Sequence, residues 1–259
     1  MNTHMQRELT RTLIVTSFVG LTACGGGAND TPPLTGAVRV ANGIADSSGL
    51  DLTIGDSTKF SGIATTAASD VAYLPINAIS SYDAKLSTNG STFTVTGVPV
   101  DQDKVTTIFT YGEIGSGTQG GFFSQMSLDA PNSGQFVVQP VHAALTASFN
   151  ALSLNFYLVK PGVCSDATTG TTPNGSATFR ASPGLFALTG GVYEICVTDS
   201  TGTVLFDSGP AGITLPKANA NVFQIAVYDT PGSKGNGSAI MLSLLDNKGG
   251  NTALYNLKN

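Results

Sequence analysis

The chain has 259 residues, with 12 basic and 17 acidic side chains and a formal charge of −5, and 11% of it is charged against about 25% in an ordinary domain. That balance offers no electrostatic route to nucleic acid or anionic lipid headgroups. With 41% hydrophobic residues, 31 glycines, 12 prolines and no tryptophan, the composition excludes a disordered chain and fits a turn-rich β protein able to bury one or two cores.

Residues 1–23 read as a secretory signal. Arg7 and Arg11 precede an uncharged run from Leu13 to Leu21, the order of a signal's basic and apolar regions. The stretch from Leu13 to Ala23 is too short to span a bilayer, which takes about 20 apolar residues. Leu21-Thr22-Ala23-Cys24 resembles the lipobox of bacterial lipoproteins. The resemblance implies cleavage before Cys24 and a diacylglycerol thioether on its sulfur, for which a thiolate is the apt nucleophile. Two or more acyl chains then give stable anchoring, where one gives only marginal binding. Gly25 in place of aspartate implies, by the sorting habit of enteric bacteria, the outer membrane. Two of the basic and one of the acidic residues lie in 1–23, so the mature chain keeps 10 and 16, a charge of −6. Residues 24–35 follow as a flexible tether.

Beyond the tether no stretch keeps a helical apolar period for three turns. Short runs rich in β-branched and aromatic residues recur, cut by turn residues about every ten positions, as in an all-β sandwich or barrel. Asn89-Gly90 marks one hairpin and Asp199-Ser200-Thr201-Gly202 a second. The chain also repeats itself. Val38–Ala45 parallels Val138–Leu145, Leu50–Ile54 parallels Leu154–Leu158, Val71–Ile76 parallels Gly184–Thr189, and Tyr82–Gly112 parallels Tyr193–Gly232. The expected fold is therefore two tandem immunoglobulin-like antiparallel β-sandwiches, residues 36–133 and 134–259, with a boundary near Asn132-Ser133-Gly134. The closing "NTALYNLKN" echoes both opening strands, which predicts a short, stiff junction and a rod or V of two sandwiches.

The order Val-Arg-Val-x-Asn, Leu-Asp-Leu-x-Ile, Tyr-Leu-Pro, then Tyr before a hairpin resembles the bacterial family known as domain of unknown function 4397. The resemblance covers most of residues 36–259 as two copies, placing Asn42 and His142 at one position and Asp51 and Asn155 at another. The second copy departs from it through Pro140, Asn155 and the inserted Cys164–Ser176. It implies an exported, β-rich, often lipid-anchored protein and brings no activity.

Cys164 and Cys196, left over after lipidation, read as one disulfide in an oxidising envelope or as two buried thiols. No catalytic constellation emerges, and neither a metal nor a cofactor is called for. His142 is the one histidine of the mature chain, so a multi-histidine metal centre is excluded, and no G-x-S-x-G elbow accompanies it. Asp101 and Asp103 read as a solvated turn, and Tyr111–Gly121 as an inter-strand loop without the lysine or helix of a phosphate site. Tyr111 and Tyr228, at the ends of matching strands, are the candidates for stacking on a sugar. The expected function is non-enzymatic: a lipid-anchored envelope module that binds or adheres to a protein, polymer or small ligand, with Cys164–Ser176 as the leading contact surface. The alternatives are a scaffolding subunit that pairs through sheet edges and, remotely, a hydrolase using His142.

Overall fold

The computed structural model describes residues 34–75, 81–127, 131–146, 152–164, 171–216, 220–231 and 240–257. The signal segment, Cys24 and most of the tether lie outside them, as do residues 165–170 of the Cys164–Ser176 segment. The described residues are organised as eighteen β-strands. The first eight are β1 (Thr35–Ala41), β2 (Leu50–Ile54), β3 (Ser57–Ile63), β4 (Ala72–Pro75), β5 (Ser81–Thr88), β6 (Ser91–Pro99), β7 (Lys104–Tyr111) and β8 (Gly120–Ser127). Then come β9 (Gln135–His142), β10 (Ser153–Val159), β11 (Gly175–Thr178), β12 (Phe186–Thr189), β13 (Gly191–Thr198), β14 (Val204–Asp207), β15 (Ile213–Leu215), β16 (Val222–Asp229), β17 (Ile240–Asp246) and β18 (Asn251–Leu254).

Local chemistry accounts for the hairpins. Asn89 and Gly90 both take positive φ, 49° and 78°, as the two central residues of a type I′ turn must to match the twist of β5 and β6. Between β13 and β14, Asp199 accepts hydrogen bonds from the backbone of Thr201 and Thr203 and from the Thr201 hydroxyl.

Four sheets result. Sheet I has the order β4-β1-β7-β8 and sheet II β3-β2-β5-β6; sheet III is β12-β9-β16-β17-β18, and sheet IV is β11-β10-β13-β14 with β15 paired to β13. The first four strands of sheet III repeat the order of sheet I, and β11-β10-β13-β14 of sheet IV repeats sheet II, with β18 and β15 as additions. The two opening strands behave alike: β1 lies antiparallel to β4 and parallel to β7, and β9 lies antiparallel to β12 and parallel to β16. The β-sandwich architecture holds, with a strand order of its own. In an immunoglobulin domain the first strand pairs with the second, whereas here it joins the fourth and seventh. The C-terminal echo is not a third opening strand: β18 pairs with β17 and forms an edge of sheet III.

Each sandwich closes on its own core. Val38, Leu50, Leu52, Leu86, Val95 and Ile108 fill the space between sheets I and II. Phe136, Phe156, Ile195, Phe206, Phe223 and Leu242 do the same between III and IV. A further core forms where sheet I meets sheet III. Ala41, Phe109, Tyr111 and Phe122 pack against Val141, Ala226, Tyr228, Met241 and Leu245, beside a smaller cluster of Ala37, Val105, Met126 and Val222. The layers therefore stack II–I–III–IV, which replaces the expected rod or V. The physical reason is that β1, β7 and β16 are apolar or buried along nearly their whole length, and a sheet apolar on both faces must be covered on both.

A polar network crosses this inner boundary. Arg39 of β1 is fully buried. It donates Nε to Thr107 Oγ1 at 2.9 Å, Nη2 to Gln224 Oε1 at 3.1 Å, and Nη1 to the Asp246 carbonyl. The Thr107 hydroxyl also donates to Gln224 Oε1, Gln224 Nε2 donates to Gln139 Oε1 at 2.8 Å, and Ser124 donates to the same oxygen. Burial lowers the Arg39 pKa to about 10, with the charges of Asp246 and Tyr228 acting the other way. A buried cation is tolerated only where its donors are satisfied in this manner.

Candidate functional site

A polar cleft lies on the outer face of sheet IV. In β13, Ile195 and Val197 point into the sandwich core, and the period-two alternation of a strand sends Glu194 and Cys196 to the opposite face. Cys196 is bonded to Cys164, with Cα atoms 5.8 Å apart. Both cysteines are buried among Tyr157, Val159 and Val204. The cross-strand partner of Cys196 in β14 is Asp207. Gly162, Cys164, Glu194, Asp207 and Pro210 line a cavity of about 200 Å³.

Glu194 organises the cleft. It is 2% exposed, and its Oε2 accepts the backbone N–H groups of Gly162, Val163 and Cys164 at 2.8, 2.9 and 3.1 Å. The carboxyl group thus holds the turn that carries Cys164 to the disulfide. The Asp207 side chain lies close beside it, so the negative charge of one carboxylate disfavours that of the other. Burial raises the Glu194 pKa, the adjacent Asp207 raises it further, and the N–H groups of Val163 and Cys164 work against both. Asp207 is fixed in turn, since its Oδ1 accepts the Gly209 N–H and its N–H donates to Asn256 Oδ1.

Two expected outcomes follow from this geometry. An acid with a raised folded pKa is bound to its proton more tightly in the native state. Stability should therefore fall as pH rises from the ordinary glutamate range, near 4.5, through the raised folded value. Chemical denaturation across that range should show the fall, and Glu194→Gln should flatten it. Converting Cys164 and Cys196 to serine opens a loop of 32 residues. The chain-entropy argument puts the cost at about 4 kcal/mol, readable as a lower denaturation midpoint with an intact oxidised control.

The other sequence candidates fall as follows. His142 is wholly buried and meets the Phe179 ring edge-on at 5.7 Å. Its backbone makes the same strand-end contacts as that of Asn42. Asn42 takes the N–H of Thr66 on its carbonyl and gives its own to Ala67; His142 does the same with Arg180 and Ala181. Thr66 and Arg180 both hold positive φ, 68° and 61°. Asp51 accepts from the Gly62 N–H and Asn155 from the Ser176 hydroxyl, so each ties its strand to the neighbouring one. Tyr111 and Tyr228 are not sugar platforms: they are 8% and 1% exposed, packed into the boundary of sheets I and III. Asp101 pairs with Lys104 at 3.2 Å on the surface. In the Tyr111–Gly121 loop, Ile114 and Gly115 donate their N–H groups to Asp46. The Cys164–Ser176 segment is in part a strand, because β11 starts at Gly175 and pairs with β10.

The roles of Arg39, Glu194 and Asp207 escaped the sequence reading. The signal for the first two was a charged residue inside an otherwise apolar strand, Val38-Arg39-Val40 and Tyr193-Glu194-Ile195-Cys196. Neither a family model nor a curated protein matches the chain.

Proposed function

We propose that this chain is a lipid-anchored protein of the bacterial cell envelope, held through Cys24, whose β-sandwich body acts as a non-enzymatic binding or adhesion module. The observation that carries the reading is Leu21-Thr22-Ala23-Cys24 directly after a short uncharged apolar run. The proposed resemblance to domain of unknown function 4397, with an outer-membrane address, belongs to the same reading. No nucleic acid figures in it, given the mature charge of −6. Burial of His142 beneath Phe179 weighs against the hydrolase alternative, since a general base must reach its substrate.

Cys164–Ser176 is the leading contact surface, because both of its described ends are fixed on sheet IV, one by the disulfide and the other as β11. The scaffolding alternative draws on open sheet edges: Tyr73 in edge strand β4 is 66% exposed, and an uncovered edge is a template for pairing. Protease shaving of intact cells separates the two. Release of peptides from Cys164–Ser176 and Tyr111–Gly121 before lysis is the result expected for an outward-facing adhesion module. Release only after the outer membrane is opened would overturn that and favour a periplasmic scaffold. Crosslinking that yields only monomer would remove the scaffold in turn.

A further inference from the structure

Beyond this reading, the cleft of sheet IV brings together four groups of metal-ligating chemistry. One atom each of Cys164, Glu194 and Asp207 lies within 4.8 Å of the others, and Cys196 is bonded to Cys164. Ligands about 2.0–2.3 Å from a tetrahedral ion stand about 3.3–3.8 Å apart, so the atoms of Cys164, Glu194 and Asp207 stand near that spacing, and Cys196 is brought to them by its bond to Cys164. In the disulfide neither sulfur can become the thiolate that binds such an ion. We propose that Cys164, Cys196, Glu194 and Asp207 form a redox-gated site for a zinc-class divalent cation, closed while the disulfide stands and opened when it is reduced.

Reduction by a dithiol breaks the S–S bond. The dithiol supplies two electrons and two protons and leaves as its own disulfide, while Cys164 and Cys196 become thiols. The ion then displaces the two thiol protons, so its binding acidifies the medium. Two thiolates with two carboxylates suit Zn²⁺ or its analogue Cd²⁺ in preference to Ca²⁺ or Mg²⁺, which take oxygen ligands alone. The carboxylate is oriented in advance: three N–H groups hold Glu194 Oε2, and Glu194 lines the cavity. Such outer contacts normally hold a ligand in place for its metal. The cavity of about 200 Å³ gives the ion a place beside them. An oxidising compartment keeps the site shut, and a local supply of reductant opens it.

The test uses the full chain with Cys24→Ser, so that Cys164 and Cys196 are its two cysteines, and Cd²⁺ as the probe. The disulfide is reduced with a phosphine, which takes up oxygen from water to become its oxide and yields the two thiols. The expected result is one Cd²⁺ per chain in the reduced protein, with a thiolate-to-cadmium absorption band, and none in the oxidised protein. Asp207→Asn and Glu194→Gln should each weaken binding about tenfold or more, at least the loss seen for outer-shell changes. Circular dichroism confirms that each variant is folded. Should Glu194→Gln unfold, Asp207→Asn decides the matter alone, because its side chain is less buried. Equal uptake by oxidised and reduced chains, no uptake on reduction, or unchanged affinity in Asp207→Asn would overturn the site.

Discussion

Arg39→Ala is expected to lower the unfolding free energy by about 3–5 kcal/mol, the sum of buried acceptors left without a donor and of the cavity left behind. Arg39 is fully buried and satisfies Thr107, Gln224 and the Asp246 carbonyl from sheet I across to sheet III. Truncation leaves buried acceptors short of a donor at about 1–3 kcal/mol each, partly relieved because Thr107 still donates to Gln224, and it also leaves a cavity. Arg39→Met, which fills the space without a charge to desolvate, should cost distinctly less. Urea unfolding of the two variants gives the comparison. A loss below about 1 kcal/mol for Arg39→Ala would mean that the network does not hold the inner sheets together.

The second large effect is expected at Gly43, just past the end of β1. A Cβ there would stand 2.1 Å from the Tyr228 ring and 2.4 Å from the Thr110 carbonyl oxygen. The ring belongs to sheet III, but the carbonyl is backbone of β7 in sheet I and cannot rotate away. Gly43→Ala should therefore destabilise by about 3 kcal/mol, at the upper end of the range for overpacking. It should also loosen the boundary between the sheets, which hydrogen exchange at the β7 and β16 amides would report. Gly90→Ala provides a contrast: its φ is 78° but nothing lies within 4 Å of the added carbon, so its cost is local to the β5–β6 turn and leaves those amides unchanged.

These two positions also show where sequence reasoning stops. Asn89-Gly90 announced its hairpin because a type I′ turn demands positive φ at both residues and few residue types accept it. The repeat was legible for a related reason, since matching turn and strand lengths impose matching sheet orders, 4-1-7-8 and 12-9-16-17. The stacking of sheet I on sheet III was not legible. An apolar run such as that of β16 reads the same whether its second face is covered by a neighbouring sandwich or is merely rich in β-branched residues. Along β1, Val38 and Val40 face sheet II, so alternation sends Ala37, Arg39 and Ala41 the other way. An arginine on that side looks solvent-exposed until the Gln224 that meets it is placed, 185 residues away. Tyr111 and Tyr228 misled in the same way, as aromatic ends of strands that prove to be the floor and roof of one buried boundary.

The candidate site divides along similar lines. Cysteine count and compartment brought Cys164 and Cys196 together, and the disulfide is present. Glu194 and Asp207 join them only through register, because Cys196 pairs with Asp207 across β13 and β14 and the Gly162–Cys164 turn folds back onto Glu194. No local pattern in "YEICV" or "VLFD" specifies that pairing, which is set by the bulge between Val197 and Thr198.

The central claim is the anchor at Cys24, and intact-mass analysis of the protein extracted from membranes tests it most directly. The account predicts a chain that begins at Cys24 and carries the added mass of a diacylglycerol thioether, with Cys24→Ser abolishing both the processing and the lipid. A chain that begins elsewhere, or one that begins at Cys24 with an unmodified thiol, would contradict it.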